Sequence, residues 1–151
     1  MSRAEHFPEL PPEKLERWSR FGKWETTWFP AWLGIELEEL RQDYARMRLP
    51  YRPELRQPAG VWHGGVIASM IDSVVVPAIG SGYDEPRQLF TIDIQLRYLA
   101  PIGEEDAIAE GWIVRRGRQI VFCDAEVRAA SGELAATGTL VYKVSSRSQV
   151  I

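Results

Sequence analysis

One carboxylate interrupts the most apolar stretch of this chain. From residue 66 to residue 79 the only charged side chain is Asp72, flanked by Ser69, Met70, Ile71, Ser73 and Val74. Burying an unpaired carboxylate costs several kcal/mol even after the surroundings relax, so Asp72 must be partnered, protonated or put to chemical use. Two readings stay open: a structural acid capped by Ser69, Ser73 or a neighbouring chain, and a nucleophile or general base. The same stretch is entered through Trp62-His63-Gly64-Gly65. Two glycines let a ligand approach the backbone closely, and the free N–H groups at a helix start can polarise a carbonyl oxygen. An ordinary glycine-rich helix entry would look the same, and His63 alone reads as a structural histidine as readily as a base.

Spacing joins the two features. Gly64 and Asp72 are eight residues apart, which is about 12 Å along a helix rising 1.5 Å per residue. An oxyanion donor and an attacking group must each lie about 3 Å from one reacting carbon. One helix cannot supply both. If both are catalytic, Gly64 of one chain works with Asp72 of another, which predicts a dimer with two such helices side by side.

The elements that must hold these residues follow from periodicity. Residues 1–11 read as a frayed lead-in. Pro11 and Pro12 then open a helical pattern in which Leu15, Trp18 and Phe21 recur every three residues, with Trp24 and Trp28 beyond. Proline suits the first helical position, and the expectation is a short amphipathic helix docking its aromatics onto a sheet. Residues 35–40 and 44–49 read as strands around a turn at Arg41-Gln42-Asp43, and the prolines of 50–60 mark a loop. Residues 61–80 are apolar in nearly every direction round a helical wheel. About 16 residues without a turn signal is long for a strand, so a helix buried on all sides is expected, with Pro77 kinking or ending its last turn. Next, 91–98 alternates strictly, with Ile92, Ile94, Leu96 and Tyr98 on one face and Thr91, Asp93, Gln95 and Arg97 on the other. Strands over 106–114, 119–128 and 134–144 follow, and short connections predict a four-stranded antiparallel meander. A sheet curled around the apolar helix is the economical packing, giving an α+β fold.

Composition narrows the class. A chain of 151 residues suits a single domain whose core needs no metal or disulfide staple. One cysteine, without a His or Cys cluster, excludes an internal disulfide and a thiolate zinc site. Eighteen basic against 21 acidic residues leaves no electrostatic footprint for nucleic acid or an anionic membrane. The polar, acid-bearing first residues are unlike a signal peptide, and the apolar run is shorter than the roughly 20 residues a bilayer demands. A soluble, cytoplasmic protein with no nucleic-acid or membrane partner and no metal or cofactor is expected.

Gly60-Val61-Trp62-His63-Gly64-Gly65 followed by Asp72 resembles the hotdog-fold acyl-CoA thioesterases, nearest to the 4-hydroxybenzoyl-CoA thioesterase and phenylacetate-degradation type. Thr91-Ile92-Asp93-Ile94-Gln95-Leu96-Arg97-Tyr98-Leu99-Ala100-Pro101 is similar to that family's next strand, which typically ends in Tyr-Leu-x-Pro. Gly117-Arg118 and Ser131-Gly132-Glu133-Leu134-Ala135 fall at its turns, and the likeness covers residues 28–142. It implies a hotdog domain over 28–151, an antiparallel sheet wrapped around one long central helix, behind an N-terminal extension and helix over 1–27. It also implies a homodimer, paired further into a tetramer, with sites at the chain interface that hydrolyse an acyl-CoA to free acid and coenzyme A.

By the same resemblance the Gly64 N–H polarises the thioester carbonyl, and Asp72 of the partner chain is nucleophile or general base. Gln57 stands where relatives position the water or carboxylate, and Thr91 supports the site from the following strand. His63 orients the glycine turn, and Gly65 lies against the substrate. Arg115, Arg116 and Arg118 either meet the phosphates of coenzyme A or form a solvated hairpin turn. Where relatives often have small residues after the acid, this chain has Ser73-Val74-Val75-Val76-Pro77, bulk expected to favour small acyl groups over aryl ones. The alternative function is a non-catalytic acyl-CoA-binding protein of the same fold. His6-Phe7-Pro8 resembles the catalytic entry of acyl-carrier dehydratases, but the charged residues that follow it argue against that class.

Overall fold

The computed structural model describes residues 2–148. Its strands are β1 (Glu36–Arg41), β2 (Tyr44–Leu49), β3 (Arg87–Tyr98), β4 (Ala107–Arg116), β5 (Ile120–Ala129) and β6 (Leu134–Ser148). They form one antiparallel sheet in the order β1-β2-β4-β5-β6-β3. The helices are α1 (Pro12–Trp18), α2 (Phe29–Leu33) and α3 (Gly64–Gly80). The short α2, closed by Gly34 in the left-handed region (φ 85°), was not foreseen from the sequence.

The sheet curls around α3, as expected of a helix apolar on every side. Met70, Ile71, Val74, Val75, Ala78 and Ile79 are fully shielded from solvent. The helix can lie this close because the sheet's inner face carries small residues at the contact. A Cβ on Gly111 of β4 would stand 2.8 Å from Val74 Cγ1, closer than packed carbons tolerate. Pro77 falls in the last turn, and the helix runs on to Gly80, with Ser81 N–H bonded to the Pro77 carbonyl.

Two expectations need correcting. The first is the meander, which includes only β4, β5 and β6. Strand β3 pairs instead with β6, from Tyr98 opposite Ala136 to Arg87 opposite Ser148. The link over 99–106 crosses the end of the sheet past the start of α3. There Ile102 is 1% exposed and its carbonyl accepts the Trp62 N–H at 2.9 Å. A link of that length can close a hairpin or cross a helix end, and the buried Ile102 anchors the crossing.

The second concerns the N-terminus, which is packed and not frayed. Residues 3–6 form a 3₁₀ turn on the outer face of β2 and β4. Ala4 and Leu10 are buried, Phe7 stacks on Tyr44 with ring centroids 5.1 Å apart, and the Arg3 guanidinium lies 3.8 Å from the Trp112 ring centre. Farther on, the aromatics meet the C-terminal end of α3, where Trp18 lies on Gly80. Leu10, Phe21 and Leu33 share one hydrophobic core with α3. Among the described residues no helix is long and apolar enough to cross a membrane.

Candidate active site

Asp72 sits midway along α3, half-buried, and its carboxylate is held from the sheet. Tyr142 and Thr91 face each other across the β3–β6 pair, so their side chains emerge side by side on the same face. The Tyr142 hydroxyl donates to Asp72 Oδ1 at 2.5 Å and lies 3.0 Å from the Asp72 carbonyl, while Thr91 Oγ1 donates to the same Oδ1 at 3.0 Å. Among the described residues Oδ2 takes no hydrogen bond. Burial, and then the negative charge of Asp72, holds the Tyr142 phenol well above its ordinary range, so it remains a donor at neutral pH.

A register shift puts Thr91 there. Simple alternation sets it on the face opposite Ile94 and Leu96, away from the helix. The structure has a bulge between Thr91 and Asp93, which adds one residue and reverses the alternation. Leu89 and Thr91 therefore face inward before the bulge, Ile94 and Leu96 after it, and Ile92 is left 56% exposed.

At the head of α3, His63 is the N-cap. Its Nδ1 accepts the Gly65 N–H at 2.9 Å, and its carbonyl accepts the Val66 N–H at 3.0 Å. Gly64, the first helical residue, keeps its own N–H unpaired among the described residues. The Tyr98 hydroxyl donates to the Gly64 carbonyl at 2.7 Å, and a Cβ on Gly64 would stand 3.2 Å from Tyr98 Cζ. Since α3 is continuous from Gly64 to Gly80, the separation of about 12 Å between Gly64 and Asp72 holds within one chain.

The other expected site residues fall in different places. Gln57 opens the tight turn before α3, its N–H on the Val61 carbonyl at 2.8 Å and its own carbonyl accepting from Gly60 at 2.9 Å. The exposed Gln57 side chain stands on the loop that leads into Gly64. Arg116 is built into the C-terminal end of α3. It pairs with Asp43 at 2.5 Å, lies 4.9 Å from the Tyr83 ring centre and reaches the Ala78 carbonyl at 3.5 Å. Arg115 and Arg118 are exposed at the β4–β5 turn.

The valines after the acid do not act as the sequence suggests. Val74 and Val75 are buried against β4, and only Val76 faces the cavity of about 550 Å³ that opens beside Asp72. No cluster of three or more His, Cys, Asp or Glu side chains able to hold a metal ion occurs among the described residues.

Sequence reasoning missed Tyr142 and the contact of Tyr98 with Gly64. For Tyr142 a signal existed: it alternates with Leu140 and Val144 on a buried face, and a buried phenol requires a hydrogen-bond partner.

Comparison with known proteins adds to this geometry. The profile of the Thioesterase superfamily matches residues 59–136, from the turn before α3 into β6. The medium/long-chain acyl-CoA thioesterase YigI of Escherichia coli is 29% identical over 130 residues, covering 74% of this chain and 82% of YigI. SSO1253 of Saccharolobus solfataricus, an inferred esterase, is 27% identical over 92 residues; the match spans 61% of each protein, less than two thirds of the relative's length. Among solved structures, the PaaI protein of E. coli, from the phenylacetic acid degradation operon, superposes with a TM-score of 0.80 at 14% identity, covering 90% of this chain and 96% of PaaI. Thioesterase HI1161 of Haemophilus influenzae gives a TM-score of 0.72 at 24% identity over 77% of this chain and 81% of its own. At those identities the structural matches speak for the fold alone.

Proposed function

This chain belongs to the thioesterase superfamily, and from that premise we propose that it hydrolyses an acyl-CoA to the free acid and coenzyme A at a site shared by two copies of the chain. The observation that carries the proposal is the setting of Asp72. A carboxylate fixed through one oxygen by Tyr142 and Thr91, with the other oxygen taking no hydrogen bond among the described residues, lines a largely apolar cavity. A merely structural acid would be expected to use both oxygens. The name of the YigI relative supports coenzyme A as the thiol carrier.

In this reading the thioester carbonyl lies on the unpaired Gly64 N–H of one copy, which stabilises the oxyanion as it forms. Asp72 of the other copy either attacks the carbonyl carbon or takes a proton from a water that does. Collapse of the tetrahedral intermediate breaks the C–S bond and releases the coenzyme A thiolate, which takes up a proton. The water route gives the free acid directly; in the direct route water then hydrolyses the acyl–Asp72 anhydride to the acid and regenerates the carboxylate. His63 holds the glycine turn by its bond to Gly65, and Gln57, on the same loop, helps position the attacking group. Arg116 is already committed to Asp43, so phosphate contact falls to Arg118. Strand β3 supports the pairing of copies, because it is the last strand of the sheet and carries Phe90 and Ile92 more than half exposed. A long apolar edge of that kind is a template for a second strand.

The test is thiol release from a panel of acyl-CoAs, with Asp72→Asn beside the wild type. The substitution should lower kcat by at least about 100-fold, the lower range for loss of a positioned base, while the far-UV circular dichroism stays unchanged. Undiminished hydrolysis by the folded variant would end the catalytic assignment. A folded dimer that binds acyl-CoA but turns over no member of the panel would point to the non-catalytic binding role.

A further inference from the structure

Six of the 15 residues from Trp18 to Trp32 are Trp or Phe, and several stay in contact with solvent. Trp28 is 51% exposed and Phe29 55%, although large aromatics are normally well covered. Both line the cavity beside Asp72. Phe21, Trp24, Trp28 and Phe29 form one wall, and α3 forms the wall opposite with Asp72, Val76 and Gly80. These three helix positions are spaced i, i+4 and i+8, so they lie on one face a turn apart.

The cavity therefore starts at the carboxylate and runs about 12 Å along the helix. Its Gly80 end is occupied by Trp18, since a Cβ on Gly80 would stand 2.1 Å from the Trp18 ring. Two arginines touch the lining, but their guanidinium groups are bonded elsewhere. Arg17 donates to the Tyr83 and Asp84 carbonyls and Arg87 to the Ser146 carbonyl. What remains is a largely apolar channel with a single acid at one end.

We propose that this channel is the subsite for the acyl group, that it takes a straight chain of about ten carbons, and that the aromatic segment 18–29 sets that length. The assignment rests on the thioester reading above. An extended alkyl chain advances about 1.25 Å per C–C bond, so a chain of about ten carbons covers the roughly 12 Å. A volume of 550 Å³ sits within the range of about 300–1,000 Å³ typical of small-molecule sites. The carbonyl carbon lies at Asp72 and the methyl end at Trp18.

Two measurements test this on the intact protein. The first is turnover of straight-chain acyl-CoAs from acetyl to hexadecanoyl, with phenylacetyl-CoA alongside. Wild-type kcat/KM should rise about fourfold for each methylene up to about ten carbons, following about 0.8 kcal/mol per buried CH₂, and rise no further beyond. Val76→Phe, which fills the channel one turn beyond the acid, should lose at least tenfold on decanoyl-CoA and stay within twofold on butyryl-CoA. Trp28→Ala, at a half-exposed position on the aromatic wall, should flatten the same preference.

The second measurement needs no turnover. Decanoate should shift the tryptophan emission of the wild type and not that of Val76→Phe, while butyrate shifts neither. A flat chain-length profile, or a preference for phenylacetyl-CoA over decanoyl-CoA, overturns the subsite and leaves the thioesterase standing. Absence of all turnover together with a decanoate-induced shift would overturn the thioesterase and leave the acyl site.

Discussion

Asp72 depends on a phenol that comes from the far end of the chain. Tyr142 is 70 residues away in sequence and donates to the carboxylate at 2.5 Å from a position 2% exposed. Its hydrogen holds Oδ1 in place and so fixes the orientation of a carboxylate that lines the cavity. Tyr142→Phe removes the hydroxyl and leaves the ring that fills the core. Hydrogen bonds to charged groups contribute about 1.5–3 kcal/mol, so kcat should fall by about 10- to 100-fold with KM changed less than threefold. A structural role alone would move the melting temperature and leave kcat in place, so steady-state kinetics beside thermal unfolding decides between them. Asp72 and Gly64 were legible because a charge in an apolar run and a pair of glycines are local signals. The pairing of Tyr142 with Asp72 was not, since it is set by strand register, and the inward turn of Thr91 was hidden by one bulge residue that the alternation does not reveal.

At the scale of elements, the crossing from β3 to β4 ends at Asp106, which ties three segments together. Its Oδ1 accepts the Tyr51 N–H at 2.8 Å and its Oδ2 accepts Arg48 Nη1 at 3.1 Å. The backbone bond from Tyr51, and after it the Arg48 guanidinium, hold this carboxyl below the usual carboxylate range. A folded pKa below the unfolded one means that the contribution is complete above the unfolded value of about 3.9 and is lost as pH falls through the folded one. Asp106→Asn should therefore lower the melting temperature at pH 7, and the gap between variant and wild type should close as the pH drops below about 4. A gap that stays constant down to pH 2 would show that ionisation is not what matters.

Periodicity located all six strands to within a few residues, because alternation and turn residues are read locally. The pairing of β3 with β6 was not readable, since a link of eight residues (99–106) fits a hairpin and a crossing equally well. The buried N-terminal residues escaped for a related reason. Ala4 and Leu10 are too few to make a periodic pattern, and their segment is held through Phe7 on Tyr44 and Arg3 on Trp112, on strands far along the chain.

For the whole molecule, the proposed joint use of the Gly64 N–H and the Asp72 carboxylate requires two chains to make a site. Within a single copy the Gly64 N–H and the Asp72 carboxylate stand about 12 Å apart on a continuous α3, and no side-chain rearrangement brings a backbone N–H along a helix. Pairing two copies through the free edge of β3 makes a two-fold interface in which each element meets its own counterpart. In the proposed pair the two α3 helices would lie side by side, so that the head of one reaches the middle of the other. The consequence can be measured with two inactive proteins. Chains carrying Asp72→Asn and chains carrying Gly64→Val, where the added side chain meets Tyr98, should each be inactive alone. After subunit exchange at equal amounts, about half the dimers are mixed, and each mixed dimer holds one intact site and one doubly damaged site. Activity should therefore recover to about a quarter of the wild-type value. A site contained within one chain recovers nothing, because every chain in the mixture carries a lesion. With exchange verified by mass-tagged subunits, zero recovery would reject the shared site, whatever the catalytic role of Asp72.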